Sequence, residues 1–345
     1  MANEASLLIA IIGCGAVSQR CHIPAVNAHP HSQLEWLVDP DADLLRRLSK
    51  DAGQVKTGND YREVIGGVDA AILAVPHSLH APIAVDLLRH GIHLLVEKPM
   101  AGSVAECDAM IEAADEGKAV LAVGLMRRFL HSAHFARWAV QSGLVGAVES
   151  FDFREGSVYS WPVQSDFFFR RETARGGVLF DTGAHTLDLL LWWLGEADEV
   201  EYYDDSYGGV EADCRVLLRM ASGARGVVEL SRTRNLRNTA IVRGEKAELE
   251  VGLRTNEAVV RARDGSSGLA GLGLAGPDQN PVTQGFIDLF PLQIDDWIEA
   301  IRTGRTPTVP GTEGRRSVAL IEACYATRFP LELPWMSPEE RGPTN

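Results

Sequence analysis

Leu7-Leu8-Ile9-Ala10-Ile11-Ile12-Gly13-Cys14-Gly15-Ala16-Val17-Ser18 carries an unbroken apolar run straight into a glycine turn that opens a helical stretch. A strand with no polar position is one covered on both faces, as strands of a parallel sheet are. Gly13 suits a tight turn, and Gly15 lets the backbone approach a ligand closely. The helix beyond the turn offers free N–H groups and a partial positive charge, the combination that holds a pyrophosphate. Cys14 needs only to be small. Ser18 stands where a third glycine is usual, so the helix must pack on the strand around a hydroxyl. Alone, such a loop is as often an empty turn; the succession of strands and helices after it decides between the two.

Further apolar runs lie at Leu34–Val38, Ala70–Val75, His93–Val96 and Val120–Gly124, with amphipathic stretches at Asp43–Ala52, Leu79–His90 and Val104–Gly117 between them. This alternation predicts right-handed βαβ units on a doubly wound parallel sheet, a Rossmann domain over 1–128. Asp39 ends the second run, where an acid accepts hydrogen bonds from an adenosine ribose. A carboxylate there repels a 2′-phosphate, so NAD is expected in preference to NADP, although Arg46 and Arg47 stand on the next helix.

The pattern then changes. Helices are predicted at His134–Gln141 and Thr182–Leu194, and a strand at Glu149–Arg154. Successive strands fill Glu199–Arg263, two of them joined by a tight turn at Ser222-Gly223. The expectation for 129–345 is an α+β domain with an open, mostly antiparallel sheet. Asp264–Gln284, rich in glycine, reads as a mobile or subunit-contacting loop in preference to a substrate lid. Two helices near Gly285–Thr303 and Thr312–Arg328 close the chain, and Ser337–Asn345 reads as a frayed tail.

The 345 residues carry a net charge of −14, with 46% hydrophobic and 23% charged residues, which argues for a globular protein and against nucleic acid or an anionic membrane as partner. Cys14, Cys21, Cys107, Cys214 and Cys324 are odd in number and lack metal-ligand spacing, and no targeting segment precedes Leu7; both point to a cytoplasmic protein with reduced thiols. No metal site is expected. Asp181, His185 and Asp188 could share a helix face, but no partner cluster accompanies them.

Pro76-His77-Ser78-Leu79-His80, Glu97-Lys98-Pro99, Gly176-Gly177 and Asp181-Thr182-Gly183-Ala184-His185 come at intervals along the chain. Together with Gly13–Ser18, Arg128-Phe129, Gly143–Gly146 and Gly311–Tyr325 they resemble the Gfo/Idh/MocA family over nearly the whole chain. That resemblance implies a substrate site served by both domains, a homodimer or homotetramer formed through the second sheet, and a cis bond before Pro99. It also implies NAD contacts from Gly13, Cys14, Gly15, Ala16, Val17, Ser18, Asp39, Pro76, His77, His80, Glu97, Lys98 and Arg128. His77 departs from the asparagine common after this proline, where the contacts expected are mainly backbone. Residues between Ser157 and Arg175 match no general motif and are expected to set substrate choice.

Oxidising a secondary alcohol needs a base for the hydroxyl proton, a donor for the developing alkoxide, and a carbinol carbon held against the nicotinamide. Lys98, Asp181 and His185 supply these types. His185 is assigned as base because its ordinary pKa is nearest neutrality. Lys98 would steady the reacting oxygen, and Asp181 would bind a neighbouring hydroxyl and orient Lys98 or His185. Lys98 as the proton carrier stays open. The expected activity is an NAD-dependent dehydrogenase of a sugar, amino sugar or cyclitol. An NAD-assisted glycosidase and a non-catalytic sensor remain the alternatives.

Overall fold

The computed structural model describes residues 6–51, 55–158, 174–263 and 286–332. These form two compact units, one comprising 6–129 and 286–318, the other 130–158, 174–263 and 319–332. The described α-helices are α1 Ile23–Ala28, α2 Ala42–Asp51, α3 His80–Arg89, α4 Val104–Gly117, α5 His131–Gln141, α6 Val178–Leu194, α7 Leu289–Thr303 and α8 Gly311–Ala326.

In the first unit, β1 Leu7–Ile12, β2 Ser32–Val38, β3 Lys56–Gly58, β4 Ala70–Leu73, β5 His93–Val96 and β6 Leu121–Val123 make one sheet in the order β3-β2-β1-β4-β5-β6. All of its pairs are parallel. This is the doubly wound dinucleotide order, and its switch point lies between β1 and β4. The continuous apolar runs have the reason expected of them: Ile9, Ile11, Ile72, Leu73, Leu94 and Val96 are all completely buried. Full burial of each such side chain contributes about 1.5–3 kcal/mol. Helix α4 starts where Ser103 accepts a hydrogen bond from the amide of Glu106, an N-cap worth about 1 kcal/mol.

The first unit continues past the boundary expected at Phe129. Val123 N donates to Val309 O at 3.0 Å, and Ala122 bridges Pro310. Gly311 and Gly314 pack so tightly on Leu121 and Val123 that an added Cβ would lie 2.8 and 2.6 Å from them. β6 is the edge strand of this sheet, and the late segment covers it.

In the second unit, β7 Val148–Gly156, β8 Ala197–Asp204, β9 Asp213–Met220, β10 Arg225–Ser231, β11 Thr239–Gly244, β12 Ala247–Gly252, β13 Ala258–Ala262 and β14 Arg328–Pro330 form a sheet ordered β13-β12-β11-β7-β10-β9-β8-β14. It is mostly antiparallel, as expected. The exceptions are β7 with β10 and β8 with β14. The turn joining β9 to β10 has Gly223 at φ +93°. One face is apolar and buried, with Phe151, Phe153, Val216, Leu218, Val228, Leu230, Val242 and Leu249 on it. Helix α6 lies on this face, and Gly183 allows the approach: a Cβ there would be 2.9 Å from Leu230.

The other face mixes apolar and charged side chains. Leu217, Val227, Ile241 and Val259 align across the strands with Asp152 and Glu250 among them. Ion pairs flank this stripe: Arg154 with Asp152 and Glu229, Arg243 with Glu248, and Arg261 with Glu248 and Glu250. Charged cross-strand pairs keep an exposed sheet face hydrated.

The five cysteines are buried and unbridged. Among the described residues no helix is long and apolar enough to cross a membrane, and no three side chains are grouped to hold a metal. The loop Asp264–Gln284 and the tail Ser337–Asn345 lie outside the described residues, as does 159–173 of the segment expected to set substrate choice.

Candidate functional site

β1 delivers the chain to Gly13, whose φ of +88° and whose absent Cβ, which would lie 2.4 Å from Ala74 O, leave room for glycine alone. The loop's carbonyls are tied back into the protein. Ser18 Oγ donates to Gly13 O at 2.5 Å, and Gln19 Nε2 donates to Cys14 O at 2.7 Å. The hydroxyl replacing the third glycine is thus completely buried and satisfied. Asp39 accepts from Cys14 N through Oδ2 at 2.8 Å and from Asp41 N through Oδ1 at 2.9 Å. The helical stretch begins at Ala16, and the first amides of a helix have no intrahelical carbonyl to bond. Gly15, Ala16 and Val17 therefore present donors, with a carboxylate at the neighbouring strand end. That donor set fits a dinucleotide's pyrophosphate and ribose. The Cys14 thiol is buried and donates to Val38 O at 3.7 Å; burial, then the charge of Asp39, pushes it up to about 12.

The β4 and β5 ends adjoin this loop through the sheet order. The turn His77–Leu79 comes directly after Pro76, and Lys98–Pro99 is cis, as expected. His80 is completely buried, its Nδ1 3.0 Å from Pro99 O and its Nε2 3.0 Å from Val75 O. It clasps the two loops together and offers no exposed nitrogen. Burial, working against those hydrogen bonds, holds its pKa below the ordinary value. His77 is also buried and packs edge-on against His80, with ring centroids 5.6 Å apart.

Glu97 accepts from His22 Nε2 at 2.8 Å through Oε1 and from Lys98 N at 3.1 Å through Oε2. Burial works to raise the Glu97 pKa, but the His22 hydrogen bond and the charges of His22 and Lys98 outweigh it, and the net shift is downward. Arg128 is buried and donates through Nη2 to Glu313 on α8 at 2.7 Å. Lys98 is partly exposed at the carboxyl end of β5.

Helix α6 carries the second group. Its first turn is capped by Glu211, whose Oε1 accepts from Gly177 N and Leu179 N and from Tyr325 Oη. The backbone O of Glu211 takes Val178 N. Gly177 permits this contact, since a Cβ there would sit 1.9 Å from Glu211 O. Asp181, in the first turn, accepts from Arg232 Nη2 at 2.7 Å. His185, one turn on, is 4% exposed, and Asp188 is 2% exposed. Between them Thr186 donates to the buried Glu155 at 2.5 Å, and Glu155 also takes Arg254 Nε at 2.6 Å.

The glycine loop, Asp39, the Pro76–His80 turn and Glu97–Lys98–Pro99 therefore gather at the carboxyl ends of adjacent strands of the first unit, while Asp181 and His185 share a helix of the second. Sequence reading passes over Gln19, His22, Glu155, Glu211, Arg232 and Arg254. Apart from Gln19, each acts on a partner more than thirty residues away, which no local pattern signals.

A model of an oxidoreductase family with an NAD-binding Rossmann fold, Gfo/Idh/MocA, matches residues 7–125. The model of the Gfo/Idh/MocA C-terminal domain matches residues 134–250. The chain is 26% identical to scyllo-inositol 2-dehydrogenase (NAD(+)) of Bacillus subtilis, covering 89% of each. It is 25% identical to myo-inositol 2-dehydrogenase of Thermotoga maritima, over 94% of this chain and 96% of that one. The aldose-aldose oxidoreductase of Caulobacter crescentus, crystallised with glycerol, superposes with a TM-score of 0.80 at 28% identity, over 93% of this chain and 97% of that one.

Proposed function

The chain belongs to the Gfo/Idh/MocA oxidoreductases, and on that premise we propose that it is a dehydrogenase of a secondary hydroxyl on a sugar, amino sugar or cyclitol. One observation carries the reading: Lys98 leaves the strand next but one to the glycine loop, at the same edge of the sheet, where doubly wound folds bind their ligands. Relatives named as inositol dehydrogenases support the substrate class.

Bound NAD supplies the hydride acceptor. The amides of Gly15, Ala16 and Val17 would hold the pyrophosphate, and Asp39 would hold the ribose. Lys98 donates to the reacting oxygen and favours its negative form as the proton leaves. His185 takes that proton as general base, and returns it when the reaction runs toward reduction. Asp181, fixed by Arg232, binds a neighbouring hydroxyl and sets the orientation of the ring. Arg128, anchored by Glu313, and His80, anchored on two carbonyls, would shape the cofactor's surroundings.

The proposed assembly is a cytoplasmic homodimer or homotetramer joined through the stripe Leu217, Val227, Ile241 and Val259. The activity is tested by following NADH absorbance with NAD and NADP over free sugars, amino sugars, nucleotide sugars and inositols. NADH formed with at least one of them is the expected result. Cleavage of a glycoside without net NADH would replace the dehydrogenase with an NAD-assisted glycosidase. Ligand binding without turnover would replace it with a sensor.

A further inference from the structure

The helical stretch that begins at the glycine loop contains a π-turn, Ser18–His22, before it continues as α1. Such turns add a residue to the helix and re-aim the side chains beyond them, often at functional sites. His22 ends this one. Its ring is completely buried, and Phe290 meets it edge-on with centroids 5.1 Å apart. Among the described residues its Nδ1 has no hydrogen-bond partner, and the ring's one polar contact there is Nε2 to Glu97 Oε1, at 2.8 Å. Glu97 is held ionised, and a carboxylate only accepts, so Nε2 carries the proton and donates. The other oxygen of that carboxylate accepts the amide of Lys98. Gly124 gives the carboxylate its room, since a Cβ there would lie 3.1 Å from Oε2.

One carboxylate thus links the helix beyond the glycine loop to the backbone of Lys98. We propose that His22 is a positioning residue for Lys98, acting through Glu97 and making the lysine's placement depend on the cofactor-binding helix. The inference rests on the assignment of Lys98 to the reacting oxygen. A buried histidine donating to a mostly buried carboxylate restricts that carboxylate's rotamer; the held carboxylate in turn restrains the peptide from which the lysine side chain departs. Misplacement of a catalytic group by about 1 Å can cost on the order of 10²-fold in rate.

The test compares His22→Met, which fills the site without a donor, with His22→Gln, which carries an amide N–H at a similar reach. Hydrogen exchange at the Lys98 amide is followed in the full chain, with and without NAD, alongside kcat, KM and NAD affinity. His22→Met is expected to speed Lys98 exchange at least about tenfold and to lower kcat about 10- to 100-fold. NAD affinity and substrate KM should change by less than about threefold, and His22→Gln should restore both exchange and kcat. Unchanged exchange at Lys98 in His22→Met, or a Gln variant as impaired as the Met variant, overturns the proposal. Should His22→Met not fold, Glu97→Gln is judged on the same Lys98 exchange. Exchange needs no turnover, so a protein that forms no NADH would refute the dehydrogenase reading and leave this result to be decided on its own.

Discussion

Asp39 uses one carboxylate in two ways: its oxygens hold the amides of Cys14 and Asp41, and the same group is the proposed ribose acceptor. Replacing it should therefore loosen the glycine loop as well as the cofactor. NAD affinity of Asp39→Ala is expected to fall about tenfold or more, the scale of a charged hydrogen bond. With Pro40→Arg added, the preference for NAD over NADP should narrow or reverse. Tighter NADP binding by the wild type in calorimetry would refute the ribose role. The proton-transfer assignment makes a separate demand. His185→Ala should leave NAD affinity nearly unchanged while turnover drops by about 10²–10⁴. Lys98→Ala should slow turnover and raise the substrate KM, because it touches ground and transition states alike. The double variant should be little worse than the poorer single one, since groups acting as a unit are not additive. Near-wild-type turnover in His185→Ala would move the base role to Lys98.

Helix α6 explains what can and cannot be read from the sequence. Its apolar pattern and its Asp–His spacing are legible, but its start is expected at Thr182 and lies at Val178. The missing signal is its cap, because Glu211 reaches the first turn from 34 residues away. The same logic holds elsewhere. β1 and β5 are continuous apolar runs with clear ends and are legible residue for residue, whereas β3 and β14, three residues each, have no apolar pattern to read. The parallel pairing of β7 with β10 depends on which strand lies beside which, and side-chain alternation does not encode that. Within the site, the glycine loop is contiguous and legible; Arg232 on Asp181 and His22 on Glu97 join distant positions and are not. The cap also makes a pH prediction. Burial, only partly offset by the hydrogen bonds it accepts, raises the Glu211 pKa above the ordinary carboxylate value. An acid whose folded pKa is raised favours folding most below its unfolded pKa, and that contribution is lost as pH rises through the folded value. Relative to Glu211→Gln, the wild type should therefore lose stability as pH rises from about 4.5 upward. Denaturant midpoints of the two proteins across pH 4–8 would show it, and parallel pH profiles would refute it.

For the whole molecule, the proposed association turns on the second sheet. From Leu217 on β9 to Val259 on β13 the stripe crosses six strands, about 24 Å at the usual interstrand spacing. Leu217 is 37% exposed, at one end of the stripe, and arginine–carboxylate pairs run along both sides. Such a surface is hydrated enough to avoid indiscriminate sticking, yet its alternation of apolar side chains with Asp152 and Glu250, between charged margins, can meet a second copy in one register. A two-fold axis would set the same stripe against itself, so a single substitution appears twice in one interface. Leu217→Asp would add two carboxylates to such an interface, which already holds Asp152 and Glu250 of each copy. The wild type is expected to scatter light as a multiple of the monomer at micromolar concentration, and Leu217→Asp to dissociate at least about tenfold more readily. Its fold should be intact, because Leu217 points away from the buried face that carries Val216 and Leu218. A monomeric wild type would remove the proposed assembly. An oligomer indifferent to Leu217→Asp would move its interface to another surface.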